Sequence, residues 1–114
     1  MTSKSETQRR QKIRELNDAL RRHGTGGRIV MTAGIQALGQ AAVNEIINKV
    51  RAFNNFTKDN DPWGEHDCAL LTVCGNRIMY KIDYFDRDLQ YASPDPADAL
   101  KTCRVMTILM GEEY

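Results

Sequence analysis

The nine residues DNDPWGEHD, positions 59 to 67, gather four carboxylates, a histidine, a tryptophan and a proline. Such a mixture could bind a cation, move protons or form an ordered turn. A calcium loop fails on spacing. Asp59, Asp61 and Gly64 match the first, third and sixth loop positions, but Trp63 stands at the fifth and Leu70 where a bidentate Glu is required. A divalent-metal site for hydrolysis or phosphodiester cleavage could use His66, Asp67 and, from the next strand, Asp83, with Lys81 nearby. Alternation along a strand would send His66 to the face opposite Glu65 and Asp67, so that only His66 and Asp83 share a side.

Other chemistries are weaker. GIQALGQA sets Gly34 and Gly39 at phosphate-loop spacing, yet Gln40 and Ala41 occupy the Lys and Ser/Thr positions. No serine sits in a nucleophile elbow. Cys68, Cys74 and Cys103 lie in apolar stretches without metal-type spacing and read as reduced, internal thiols. No catalytic residue, metal ligand or cofactor is assigned. The turn reading of DNDPWGEHD is favoured: Asp59 and Asn60 bond their own backbone, Pro62 fixes φ, Gly64 allows a left-handed conformation and Trp63 packs against a helix.

The elements that must position these residues follow from periodicity. Ile13, Leu16 and Leu20 recur at helical spacing, with Ala19 widening the stripe and Gly24 as a stop. Arg9, Arg10, Arg14, Arg21 and Arg22 flank it, a solvated basic face or a grip for nucleic acid phosphates. Residues 1–12 are expected to form a frayed basic segment, and 13–114 a single domain. RIVMTA, residues 28 to 33, predicts a buried strand. Val43, Ile46, Ile47, Val50 and Phe53 then trace one face of a second helix.

HDCALLTVCGNRIMYKIDYF reads as a hairpin turning at Gly75 and Asn76, which sets Val73 opposite Ile78, Leu71 opposite Tyr80 and Ala69 opposite Ile82. One face then carries Ala69, Leu71, Val73, Ile78, Tyr80, Ile82 and Tyr84 toward the helices. The other carries His66, Cys68, Leu70, Thr72, Met79, Lys81, Asp83 and Phe85. DRDLQYASPDPADALK, with Pro94 and Pro96, is a long connection, and TCRVMTILM supplies a last strand. The expected fold is α+β: a small four-stranded, mostly antiparallel sheet with two helices packed on one face. Its 114 residues, 41% of them apolar, suffice for one core without a cofactor.

Charge is uneven along the chain. Residues 1–58 hold eleven Lys and Arg against four acids, and residues 59–98 nine acids against three bases. An acidic rim of Asp59, Asp61, Glu65, Asp83, Asp86, Asp88, Asp95 and Asp98 would steer a basic partner. No apolar run is long enough to span a membrane and the N-terminus lacks a secretory apolar core, so a cytoplasmic location is expected.

The segments LNDAL, GGRIVMTAGIQAL, NNFTKDNDPWGEHD, KIDYFDRDLQYASPDPAD and CRVMTILMGEEY resemble a short bacterial family catalogued as domain of unknown function 3768, over residues 16–114. The resemblance carries no activity. It implies an accessory protein of mobile genetic elements, and with it an inhibitor of host defence, anti-CRISPR or antirestriction, acting through an acidic surface. The contact residues would be Asp59, Asp61, Trp63, Glu65, His66, Lys81, Asp83, Asp86 and Asp88, and the partner a protein, such as a nucleic-acid-handling host complex. The alternatives are a metal-dependent hydrolase or nuclease around His66, Asp67 and Asp83, and a nucleic-acid-binding accessory protein using the basic first helix. Oligomeric state is left open.

Overall fold

The computed structural model describes residues 4–114. Helix α1 (Lys4–His23) is followed by β1 (Gly27–Met31), a one-turn α2 (Ala33–Gln36), α3 (Gln40–Ala52), the hairpin β2 (Cys68–Val73) and β3 (Asn76–Phe85), and β4 (Cys103–Met110). The sheet order is β1-β4-β3-β2, with β1 parallel to β4 and the other pairs antiparallel. The fold is α+β with a four-stranded, mostly antiparallel sheet, as its pattern predicts. Helix α1 runs unbroken from Lys4, so residues 4–12 continue into the domain, and residues 1–3 of the expected frayed segment lie outside the described residues.

Gly24 ends α1 in a left-handed conformation (φ 71°), its N–H donating to the Leu20 carbonyl at 2.9 Å. Gly27 serves a close approach: a Cβ there would lie 2.6 Å from the Arg104 carbonyl oxygen. Val43, Ile46 and Val50 of α3 are buried, with Ile47 and Phe53 packed beside them. They meet the inner sheet face, where Ile78, Tyr80, Ile82, Met106 and Ile108 are enclosed. Burying each such side chain stabilises the fold by about 1.5–3 kcal/mol.

Two expectations are corrected. The β1 strand is an exposed edge, not a buried strand: Ile29 is 37% and Val30 45% exposed, because β4 covers only one side of it. The hairpin turns at Cys74 and Gly75, both at positive φ (51° and 79°), one residue earlier than the Gly75-Asn76 corner. Val73 therefore faces Asn76, Leu71 faces Ile78 and Ala69 faces Tyr80. Each partner changes by two positions, so the side-chain alternation and the assignment of inner and outer faces are preserved. On the outer face Leu70 is 51% exposed, while Met79 and Leu109 are shielded at its centre.

Candidate functional site

The acidic turn is a folded loop anchored on α1. Asn60 accepts the Thr57 N–H at 2.7 Å and donates to the Asn55 carbonyl at 2.8 Å. Asp61 is buried, and its carboxylate receives the His66 backbone N–H at 3.2 Å. Across the gap Arg14 donates to the Gly64 carbonyl at 3.1 Å and Asn17 to the Glu65 carbonyl at 3.0 Å. Held this way, His66 adopts a left-handed backbone (φ 56°), a conformation that costs an L-residue on the order of 1–2 kcal/mol and persists only when its surroundings impose it.

The His66 side chain is partly buried, 23% exposed, and held by neighbours on three sides. Its ring stacks on Phe56 with centroids 3.8 Å apart and planes 7° from parallel. Nδ1 lies 2.9 Å from the Asp18 carboxylate and Nε2 lies 3.6 Å from Asp61. The residue precedes β2 and does not follow strand alternation, so the expected sharing of a face with Asp83 is not realised. Asp83 instead binds Lys81 at 2.7 Å. Among the described residues no three His, Cys, Asp or Glu side chains form a group that could hold a metal ion.

Arg21 corrects the expected basic face. It is fully buried, and its guanidinium donates to the carbonyls of Val50 (3.0 Å), Arg51 (3.1 Å) and Phe53 (2.8 Å), closing the C-terminal end of α3. Asp18 pairs with it at 3.0 Å and so links the guanidinium to His66. The other arginines hold loops: Arg9 binds Asp95 at 3.3 Å and Arg10 lies 4.8 Å over the Trp63 ring. Of the five, only Arg22 is exposed without such a contact among the described residues. Trp63 itself is 63% exposed, with Arg10 of α1 over its ring.

A second buried hub joins α1 to the proline loop. Arg104, 2% exposed, donates through Nε to Asn17 at 2.9 Å and through its other end to the Pro96 carbonyl, and it lies 5.1 Å over Tyr84. Asn17 also donates to the Tyr84 hydroxyl at 2.8 Å, and that hydroxyl donates to Glu65 at 2.8 Å. Burial pushes the Arg104 guanidinium down and the Tyr84 phenol far up, which keeps the phenol a neutral donor.

The expected acidic rim is therefore divided. Asp61 is buried, Glu65 and Asp95 have partners, Asp98 caps a short 3-10 turn at Leu100, and Asp86 accepts the Gln90 N–H. Asp59 and Asp88 remain exposed. Asp67 carries the electrostatic cost of the cluster: burial raises its pKa first, a hydrogen bond from its own backbone opposes this, and Glu65, Asp61 and Asp83 raise it further. The native state thus binds this proton more tightly than the unfolded chain. Stability from it is full below the unfolded value near 3.8 and is lost as pH rises through the folded value. Asp67→Asn should raise the thermal midpoint at neutral pH, with the gain over wild type shrinking below pH about 4. A lower midpoint at pH 7 would contradict this account.

Residues that motif reasoning passed over carry both hubs: Asn17, Asp18, Phe56 and Arg104. The only trace of the first hub in sequence is polar residues on an apolar stripe, since Asn17 and Arg21 follow Ile13 at four-residue steps. A family model described as a protein of unknown function (DUF3768) matches residues 31–113. The chain belongs to this family. No curated protein and no solved structure matches the chain. Within the DUF3768 region the GEHD and KIDYF segments meet at Glu65 and Tyr84, Arg104 ties in Pro96 of SPDPAD, and α1, outside the matched span, contributes Asn17 and Asp18 to them. No described helix is long and apolar enough to cross a membrane.

Proposed function

We propose that this chain is a small non-enzymatic protein-binding module that engages its partner through the Trp63 turn. The observation that carries the reading is a 63% exposed tryptophan on a loop tied down at Asp61, Gly64, Glu65 and His66. A rigid exposed aromatic loses little conformational freedom on binding and is the side chain most enriched at interface hot spots. Asp59 on the same loop, and Asp86 and Asp88 on the β3–β4 connection, add negative charge that favours a basic partner. Asp61, Glu65 and His66 support this surface from within, whereas Lys81 and Asp83 sit on the outer sheet face.

Two competing readings lose support. His66 is tied to Asp18 through Nδ1 and turned toward Asp61 through Nε2, contacts that brace the loop against α1, while Asp83, which the hydrolase reading needs beside it, pairs with Lys81. Four of the five arginines that would grip nucleic acid are committed to Asp95, Trp63, the Gly64 carbonyl and the end of α3. The finer form of the proposal is a cytoplasmic inhibitor, carried on mobile genetic elements, of a nucleic-acid-handling defence complex. It is tested by capture from host extract on immobilised wild type, Trp63→Ala and the double variant Asp59→Lys with Asp88→Lys. A specific protein should be retained by wild type, lost with Trp63→Ala and weakened by charge reversal, with retention falling between about 0.05 and 0.5 M salt. Identical retention by all three proteins would overturn the proposal.

A further inference from the structure

Asp61 and His66 close the base of the turn that carries Trp63. The Gly64 N–H donates to the Asp61 carbonyl at 3.1 Å, so Pro62 and Trp63 lie inside a turn that begins at Asp61. The Asp61 side chain is 5% exposed, and its carboxylate faces the His66 backbone N–H at 3.2 Å and the ring Nε2 at 3.6 Å. No Lys or Arg pairs with it among the described residues. Asp18, at the opposite ring nitrogen, is compensated twice, since it also holds Arg21 at 3.0 Å. A buried charge is costly unless it is paired, and histidine is the side chain that changes charge between about pH 5 and 8.

We propose that the charge of His66 regulates the Trp63 turn: the imidazolium clasps Asp18 on α1 and Asp61 in the loop together, and loss of its ring proton releases the Asp61 side. A neutral ring has a single N–H. In either tautomer Asp61 loses the cation that faces it, whereas Asp18 keeps Arg21. The other groups around the ring cannot replace that charge. Phe56 stacks on it, the Tyr80 hydroxyl donates to the His66 carbonyl, and the flanking Glu65 and Asp67 are acidic. Arg14 is turned to the Gly64 carbonyl, and Arg21 serves Asp18 and the end of α3. The backbone does not favour the closed form unaided, since His66 is held at φ 56°, a conformation that persists only while its surroundings impose it. Release of Asp61 therefore loosens residues 61–66 and with them the indole. The bearing of this on partner binding rests on the Trp63 turn being the contact surface; the loosening itself does not.

Trp63 is the only tryptophan, so its fluorescence reports the turn directly, and in a His23→Gln background His66 is the one imidazole left. Between about pH 5 and about 8.5 the His66 ring should titrate by NMR. Trp63 anisotropy should fall along the same curve. Protection of the Gly64 and His66 amides against hydrogen exchange should fall about tenfold, the loss of one charge-assisted hydrogen bond. Asp61→Asn removes the buried charge and offers an amide donor to the neutral Nε2, so this variant should keep an ordered turn across the range. His66→Gln should show low anisotropy at every pH. Asp67→Asn should retain the transition, which separates it from titration of that neighbour. A turn that stays equally ordered while the ring titrates overturns the proposal, as does a ring that holds its proton throughout. A transition that survives in Asp61→Asn or His66→Gln, or vanishes in Asp67→Asn, overturns it as well. Partner binding is read apart from this, by repeating the capture from host extract at both ends of the range. Retention by wild type should fall at the alkaline end. Equal retention at both ends, with the loop transition present, overturns the regulation of binding. Equal retention by wild type and Trp63→Ala instead overturns the contact surface and leaves the loop transition standing.

Discussion

Replacing Arg21 by alanine should lower the unfolding free energy by about 3–5 kcal/mol, the range seen when one member of a buried charged network is removed. The guanidinium has no contact with solvent and serves three carbonyls at the end of α3 together with the Asp18 carboxylate. Its removal strands those carbonyls, opens a cavity against Phe56 and Tyr80, and leaves Asp18 held by His66 alone. Domains of this size are stable by about 5–15 kcal/mol, so the variant should unfold at a much lower urea concentration and populate the unfolded state near body temperature. Arg21→Met refills most of the volume without the hydrogen bonds and should recover part of the loss. A urea midpoint equal to that of wild type would show that the end of α3 does not depend on this residue.

Asn17→Ala should cost about 2–4 kcal/mol, because three groups of the hub each lose a hydrogen bond at once. These are the Glu65 carbonyl at 3.0 Å, the Tyr84 hydroxyl at 2.8 Å and the Arg104 Nε at 2.9 Å. The Arg104 loss dominates, since its charge is enclosed and its remaining polar partner is the Pro96 carbonyl. Tyr84→Phe removes one member of the same network, so the two substitutions together should be less damaging than their sum. The coupling should be about 1 kcal/mol or more in a double-mutant cycle. Strict additivity would mean that the GEHD and KIDYF segments are stabilised independently.

The inner and outer sides of the hairpin were legible because side chains alternate with period two whichever pair of residues forms the corner. The corner itself was not legible, since residue type favours Gly75-Asn76, whereas the turn places Cys74, a residue type that rarely adopts positive φ, at its first position. The difference appears in three dimensions, where Ala69 rather than Leu71 sits opposite the buried Tyr80. The strand RIVMT was visible in sequence, but not its place at an edge. That place depends on β4, which returns beside it from the far end of the chain.

DNDPWGEHD illustrates the same division. Its turn character follows from Asn60, Pro62 and Gly64, and the loop is indeed ordered. Its chemistry does not follow, because the partner that decides the role of His66 is Asp18, on a helix that carries no motif.

The sequence by itself determined the apolar stripes, the alternation of the strands, the α+β class and the family, all of which depend on residue type at short spacing. Tertiary structure alone decided that Asn17, Arg21 and Arg104 lie inside, with Asp18 and His66 between them. A polar side chain can be buried only where its donors and acceptors find partners. The partners here lie 29 residues away, at Val50 for Arg21, and 87 residues away, at Asn17 for Arg104.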